Sequence, residues 1–153
     1  MSIGAALYRI AVTAWAGSLL AIGYVAAPVL FAQLTDRMLA GNLAGAMFTV
    51  GAWIGIGCGS YLLIYLFAVK GWRAIKGSVF WIVLAMLALT VAGHFGIQPI
   101  LAELKADALP RQVMESALRD RFAAWHGVSS VLYLVQSLLG LVLVVIQDRG
   151  VGR

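Results

Sequence analysis

Charge is scarce in this sequence. Only 11% of its 153 residues are Asp, Glu, Lys or Arg while 63% are hydrophobic, against roughly a quarter charged in an ordinary soluble domain. No water-soluble fold of this length needs so much apolar surface. Cysteine is nearly absent as well: Cys58, alone and inside an apolar segment, excludes a disulfide framework and a cysteine-based zinc site. The chain has no phosphate loop, no dinucleotide fingerprint, no His-Glu-x-x-His helix and no acid pair within an apolar run. The expectation is a protein that is not an enzyme. The net charge of +5 sits in segments flanking the apolar runs, where anionic head groups and insertion topology account for it, so nucleic acid is not an expected partner.

What the chain has instead is four long apolar stretches, about 10–34, 46–69, 78–101 and 123–146, none containing Lys, Arg, Asp or Glu. A bilayer core takes roughly 20 helical residues per crossing. Each stretch is long enough, and with no alternation and no hydrogen-bond partner in hydrocarbon each must be helical. The fold class is therefore all-α: one four-helix transmembrane bundle spanning residues 1–153, surrounded by lipid. The beginning resembles a signal peptide, with Arg9, an apolar run and Val25-Ala26-Ala27 as a small-residue site. The run is longer than an h-region and Pro28 would occupy the first mature position, so a retained anchor is expected.

Orientation follows from Lys and Arg close to the membrane. One side holds Arg9, the tight loop with Lys70, Arg73 and Lys76, and the tail with Arg149 and Arg153, with Asp148 as its acid. The other holds Arg37, Lys105, Arg111, Arg119 and Arg121, matched by Asp36, Glu103, Asp107, Glu115 and Asp120. The short loop with three positive residues places both termini in the cytoplasm, and the expected location is a bacterial inner membrane. Trp72 and Tyr65 suit an interfacial belt on that side, and Trp125 one on the other. In the third loop, Val113, Met114, Ala117, Leu118, Arg121 and Phe122 recur at helical spacing after Pro110, with Glu115 and Arg119 spaced for an ion pair. That pattern predicts an amphipathic surface helix over about 110–122.

Small residues predict how the helices meet. Gly51, Gly55 and Gly59 recur every four residues along the second span, which makes a flat groove for a neighbouring backbone. Ala88, Ala92 and Gly96 form a lesser version on the third span, and Gly17 and Ala21 on the first. The groove can serve packing within the chain, or a homo-oligomer or membrane partner through helix 2. Pro28 and Pro99 remove backbone donors and predict bends near the outer ends of helices 1 and 3. The segments 28–34 and 99–104 also match each other weakly, which suggests that helices 1–2 and 3–4 are parallel repeats.

Two histidines, His94 and His126, fall in the outer half of the third and fourth spans. Polar groups at that depth are costly and carry a functional expectation. Three readings of the pair stand open. They can be structural groups bonded to Gln98, Ser129, Tyr24 or a carbonyl. They can form a site for a small ligand or metal ion with Gln98, Tyr24 or Met114. They can be the two axial ligands of a haem.

Several stretches together carry a family resemblance: Trp15-Ala16-Gly17 with Ala27-Pro28-Val29-Leu30-Phe31, His94-Phe95-Gly96-Ile97-Gln98-Pro99, and Arg121-Phe122-Ala123-Ala124-Trp125-His126-Gly127-Val128-Ser129-Ser130. They resemble a bacterial membrane family catalogued as domain of unknown function 4149, which is similar to the animal transmembrane protein 205. The resemblance implies a four-helix inner-membrane protein without an established biochemical activity. The animal relative's association with platinum-drug resistance hints at metal handling, although the histidine environment here lacks obvious soft sulfur ligands. The expected function is binding or passing a small ligand or metal ion at the outer face. A non-catalytic assembly or scaffold subunit using the glycine-rich interface is the alternative, and a haem-binding protein the third.

Overall fold

Because hydrocarbon leaves the backbone to satisfy itself, apolar runs of this length have one stable conformation, and the computed structural model, which describes residues 2–109 and 113–151, is built on that constraint. Its helices are α1 (Ile3–Gln33), α2 (Arg37–Lys76), α3 (Ser78–Ala108) and α4 (Arg119–Arg149), each long and apolar enough to cross a bilayer. The chain is a multi-pass membrane protein. Only 22–28% of each helix's most apolar window is buried within the protein. Four helices can cover one stripe apiece, so the rest of each surface belongs to lipid.

The helices extend beyond the purely apolar runs because their ends are capped. Ser2 Oγ accepts from the Ala5 N–H at 3.3 Å, and Asp36 Oδ1 accepts from the N–H groups of Met38 and Leu39 at 2.9 and 3.1 Å. Such caps satisfy donors that a helix start leaves open. The long α-helical part of α2 ends at Gly71, whose φ of 54° lies in the left-handed region that glycine adopts without steric cost. A 3-10 turn over Gly71–Lys76 then leads directly into α3.

Consecutive helices pack against one another, and α1 also packs against α4, closing a ring in chain order. Tyr8, Val12, Trp15 and Leu19 line the inner face of α1 at helical spacing, and meet Leu62 and Leu66 of α2, Val83 and Met86 of α3 and Leu143 of α4. At one end of the ring the Arg9 guanidinium pairs with Asp148 at 3.1 Å, Tyr8 Oη donates to the Gln147 carbonyl at 3.3 Å and Lys70 Nζ donates to the Arg149 carbonyl. The two ends of the described chain and the α2–α3 turn therefore share one basic end. Trp72 is 82% exposed there, as an interfacial residue should be, whereas Tyr65 packs against Tyr8 with ring centroids 5.0 Å apart.

Two expectations change, and the choice left open for the glycine groove is made. The surface helix over 110–122 is replaced by a single 3-10 turn at Val113–Glu115 and a bend, after which α4 begins at Arg119 and absorbs 119–122. Its start at Pro110 and the Glu115 side chain of the Glu115–Arg119 pair lie outside the described residues. The glycine groove of α2 is occupied from within the chain. A Cβ at Gly55 would come 2.6 Å from Trp15 Nε1, one at Gly59 2.9 Å from Trp15 Cη2, and one at Gly51 2.9 Å from Ile22 Cδ1. With the indole of α1 in the groove, the surface proposed for a partner through helix 2 is already buried. Finally Ala88, Ala92 and Gly96 are exposed, with open space around Gly96, and so are Gly17 and Ala21. Their spacing puts them on one face, but the ring turns that face to lipid.

Candidate functional site

The half of the bundle away from the termini is shaped by two prolines. A proline in a helix has no N–H and its ring collides with the carbonyl four residues earlier. In both α1 and α3 the turn before the proline widens. Ile22–Ala26 and Ala92–Ile97 are π-helical, and the residue just before each proline bonds five positions back, Ala27 N–H to the Ile22 carbonyl and Gln98 N–H to the Gly93 carbonyl. Where the sequence predicts a bend at Pro28 and Pro99, the structure thus shows a π-turn that ends in the same register before each proline and is one residue longer in α3. The correspondence gives the weak sequence repeat between helices 1 and 3 a backbone counterpart. Single π-turns inside α-helices occur frequently at functional sites.

His94 lies within the π-turn of α3. Its ring is partly buried, edge-on to Trp53 of α2 with centroids 5.5 Å apart and 4.7 Å from the Phe95 ring. Its Nδ1 is buried and has no hydrogen-bond partner among the described residues. The aromatic walls hold the imidazole in place but offer it no acceptor. Gln98, one turn further along α3, is partly buried.

The remaining candidates diverge from it. His126 is exposed on α4, stacked on Phe122 of its own helix at 5.7 Å and 9°, and its carbonyl accepts from Ser130 Oγ at 2.8 Å. Tyr24 is 49% exposed and leans toward Tyr133, with ring centroids 6.2 Å apart. None of the hydrogen bonds or ring contacts of the described residues joins His94 to His126, Gln98 or Tyr24, and no three His, Cys, Asp or Glu side chains gather as a metal-binding set. The donors present do not fit a paired-histidine haem site, since one imidazole is held against α2 and the other faces outward from α4.

A second polar locus was not anticipated from sequence. Thr90 and Gln136 are each only 6% exposed, and Gln136 Nε2 donates to Thr90 Oγ1, which in turn donates to the Met86 carbonyl at 2.9 Å. Nearby on α4, Tyr133 Oη donates to the Leu19 carbonyl at 2.7 Å, an approach that Gly23 permits because a Cβ there would overlap the Tyr133 ring. Neither side chain is ionisable, so the cost of burying charge in an apolar run does not single them out. A lone glutamine within 123–146 was the available signal.

A family model described as Domain of unknown function (DUF4149) matches residues 10–110, which takes in the apolar runs of α1, α2 and α3. The stretches around Trp15, Pro28 and His94–Pro99 fall inside the match, and the stretch 121–130 outside it. No curated protein and no solved structure matches the chain.

Proposed function

We propose, from the premise that the chain belongs to the DUF4149 family, that it is a non-catalytic membrane protein which captures or passes a small polar ligand or metal ion in the half of the bundle opposite its termini, with His94 as the contact residue. The observation that carries this reading is the Nδ1 of His94, buried inside a π-turn without a hydrogen-bond partner among the described residues. A polar atom without a partner is costly where lipid and aromatic rings surround it. A bound ligand would remove that cost. One imidazole is a single ligand, so transient capture is favoured over a permanently held metal.

Orientation supports an outward-facing site. The basic end, with Lys70, Arg73 and Lys76 in a tight turn, belongs in the cytoplasm by the distribution of Lys and Arg, in a bacterial inner membrane. Single cysteines placed at residue 2 and at residue 109, each in a Cys58→Ala background, should then label in intact inverted vesicles at residue 2 and only after permeabilisation at residue 109. The reverse pattern, with residue 109 labelled in intact inverted vesicles and residue 2 only after permeabilisation, would remove the outward-facing part of the proposal.

Binding is tested on the full chain in lipid nanodiscs titrated with Zn(II) and with Cu(II), each ion being a probe of an accessible imidazole. Saturable binding should disappear in His94→Ala and survive in His126→Ala. Retention of binding in His94→Ala, or no saturable uptake of either ion by the parent chain, counts against His94 as the contact residue.

A further inference from the structure

We propose that the centre of the bundle holds one ordered water molecule, bound among Trp15, Thr90 and Gln136. The three residues come from α1, α3 and α4. The remaining helix, α2, contributes Gly55, whose missing side chain lets the others converge: a Cβ there would lie 2.6 Å from Trp15 Nε1 and 3.3 Å from Thr90 Cγ2. Gln136 is bonded to Thr90 and Gly55 backs onto both the Trp15 indole and the Thr90 methyl, so all four helices contribute to one locus inside the bundle.

The hydrogen-bonding capacity of this point is incompletely used. Trp15 is 0% exposed, and its Nε1 has no partner among the described residues. The Thr90 hydroxyl gives its proton to the Met86 carbonyl and accepts from Gln136 Nε2, which leaves one lone pair. The same bond uses one of the two amide protons of Gln136. What remains is a donor from Trp15, an acceptor on Thr90, and both a donor and the carbonyl acceptor on Gln136. Water, with two protons and two lone pairs, complements that set. It accepts from the indole N–H and donates to the Gln136 carbonyl or the Thr90 hydroxyl.

Other occupants fit less well. An ion would enter a region whose apolar runs contain no Lys, Arg, Asp or Glu to balance it, and an uncompensated charge at that depth is unfavourable. An apolar molecule would leave the indole proton unpaired, and buried sites lined by polar groups are the ones that retain water. The backbone of α2 beside the ring is already committed to its own helix.

The test is cross-relaxation between water and the Trp15 indole proton, measured by NMR on the full chain in nanodiscs, with the resonance assigned by its disappearance in Trp15→Phe. A water cross-peak to Trp15 Hε1 is expected in the parent chain, falling severalfold in Gln136→Leu, which removes the acceptor while keeping an apolar side chain. Thr90→Val serves the same purpose if Gln136→Leu does not fold. Absence of the cross-peak in the parent chain overturns the proposal. So does a cross-peak of undiminished intensity in both variants.

Discussion

Placing a methyl group at Gly55 and, separately, at Gly57 should destabilise the protein at the first position and not at the second, although the two lie two residues apart on α2. The Gly55 Cβ would sit 2.6 Å from Trp15 Nε1, 3.2 Å from Cε2 and 3.3 Å from Thr90 Cγ2, whereas the Gly57 Cβ meets nothing within 4 Å. Trp15 cannot swing aside, since it is 0% exposed and also fills the space over Gly59. Overpacking of this kind costs about 1–3 kcal/mol, so Gly55→Ala should lower the folding equilibrium roughly 5- to 150-fold. Gly57→Ala relieves the helical penalty of glycine and should be neutral or stabilising by up to about 1 kcal/mol. Cys58 is the chain's one thiol and is partly buried, so a fluorogenic maleimide reports its exposure during thermal unfolding in detergent. Trp15→Phe removes the Nε1, Cη2 and Cζ3 contacts, and in the double mutant it should recover part of the Gly55→Ala loss as a coupling energy of about 0.5–3 kcal/mol. Equal destabilisation by Gly55→Ala and Gly57→Ala, or no coupling between Gly55 and Trp15, would refute the placement of the indole in the glycine groove.

Three further outcomes follow from single contacts. Tyr133→Phe removes the hydroxyl bonded to the Leu19 carbonyl and should cost about 1 kcal/mol by the same thiol assay, while Gly23→Ala, which pushes into the Tyr133 ring, should cost more. Asp36→Ala leaves the N–H groups of Met38 and Leu39 without their cap; a loss of about 0.5–2 kcal/mol and faster amide exchange confined to the first turn of α2 are expected. Asp148→Asn should change stability by less than about 1 kcal/mol, because the Arg9–Asp148 pair is 49% and 75% exposed, and any effect should vanish in high salt.

The fold was legible because hydrocarbon admits so few backbone solutions, and each charge-free run between Ile10 and Ile146 became part of a helix. Helix ends were harder to read. Residues 37–45 look like a loop by hydropathy, yet Asp36 caps them into α2, where Ala40 and Ala44 are buried and Lys105 Nζ donates to the Gly41 carbonyl at 3.2 Å. The glycine stripe of α2 was legible as an interface, but its occupant was not. The stripe Ala88, Ala92 and Gly96 has the same spacing and the opposite fate, since periodicity assigns residues to a face without saying what that face meets.

The candidate site divides along the same line. His94 and His126 share a depth that can be counted along the chain, but whether two helical residues face each other depends on how each helix is rotated in the bundle. The π-turns before Pro28 and Pro99 change that rotation locally, and packing decided that His94 rests on Trp53 while His126 faces outward. Thr90, Gln136 and Trp15 lie about 46 to 121 residues apart in pairs, and nothing local links them. The sequence by itself determined four spans, a basic end and the two proline positions, because each depends on local composition and on the bilayer as solvent. The tertiary structure decided which small-residue face is filled, which histidine is enclosed and where the polar centre lies, because those depend on contacts between helices that no single helix specifies.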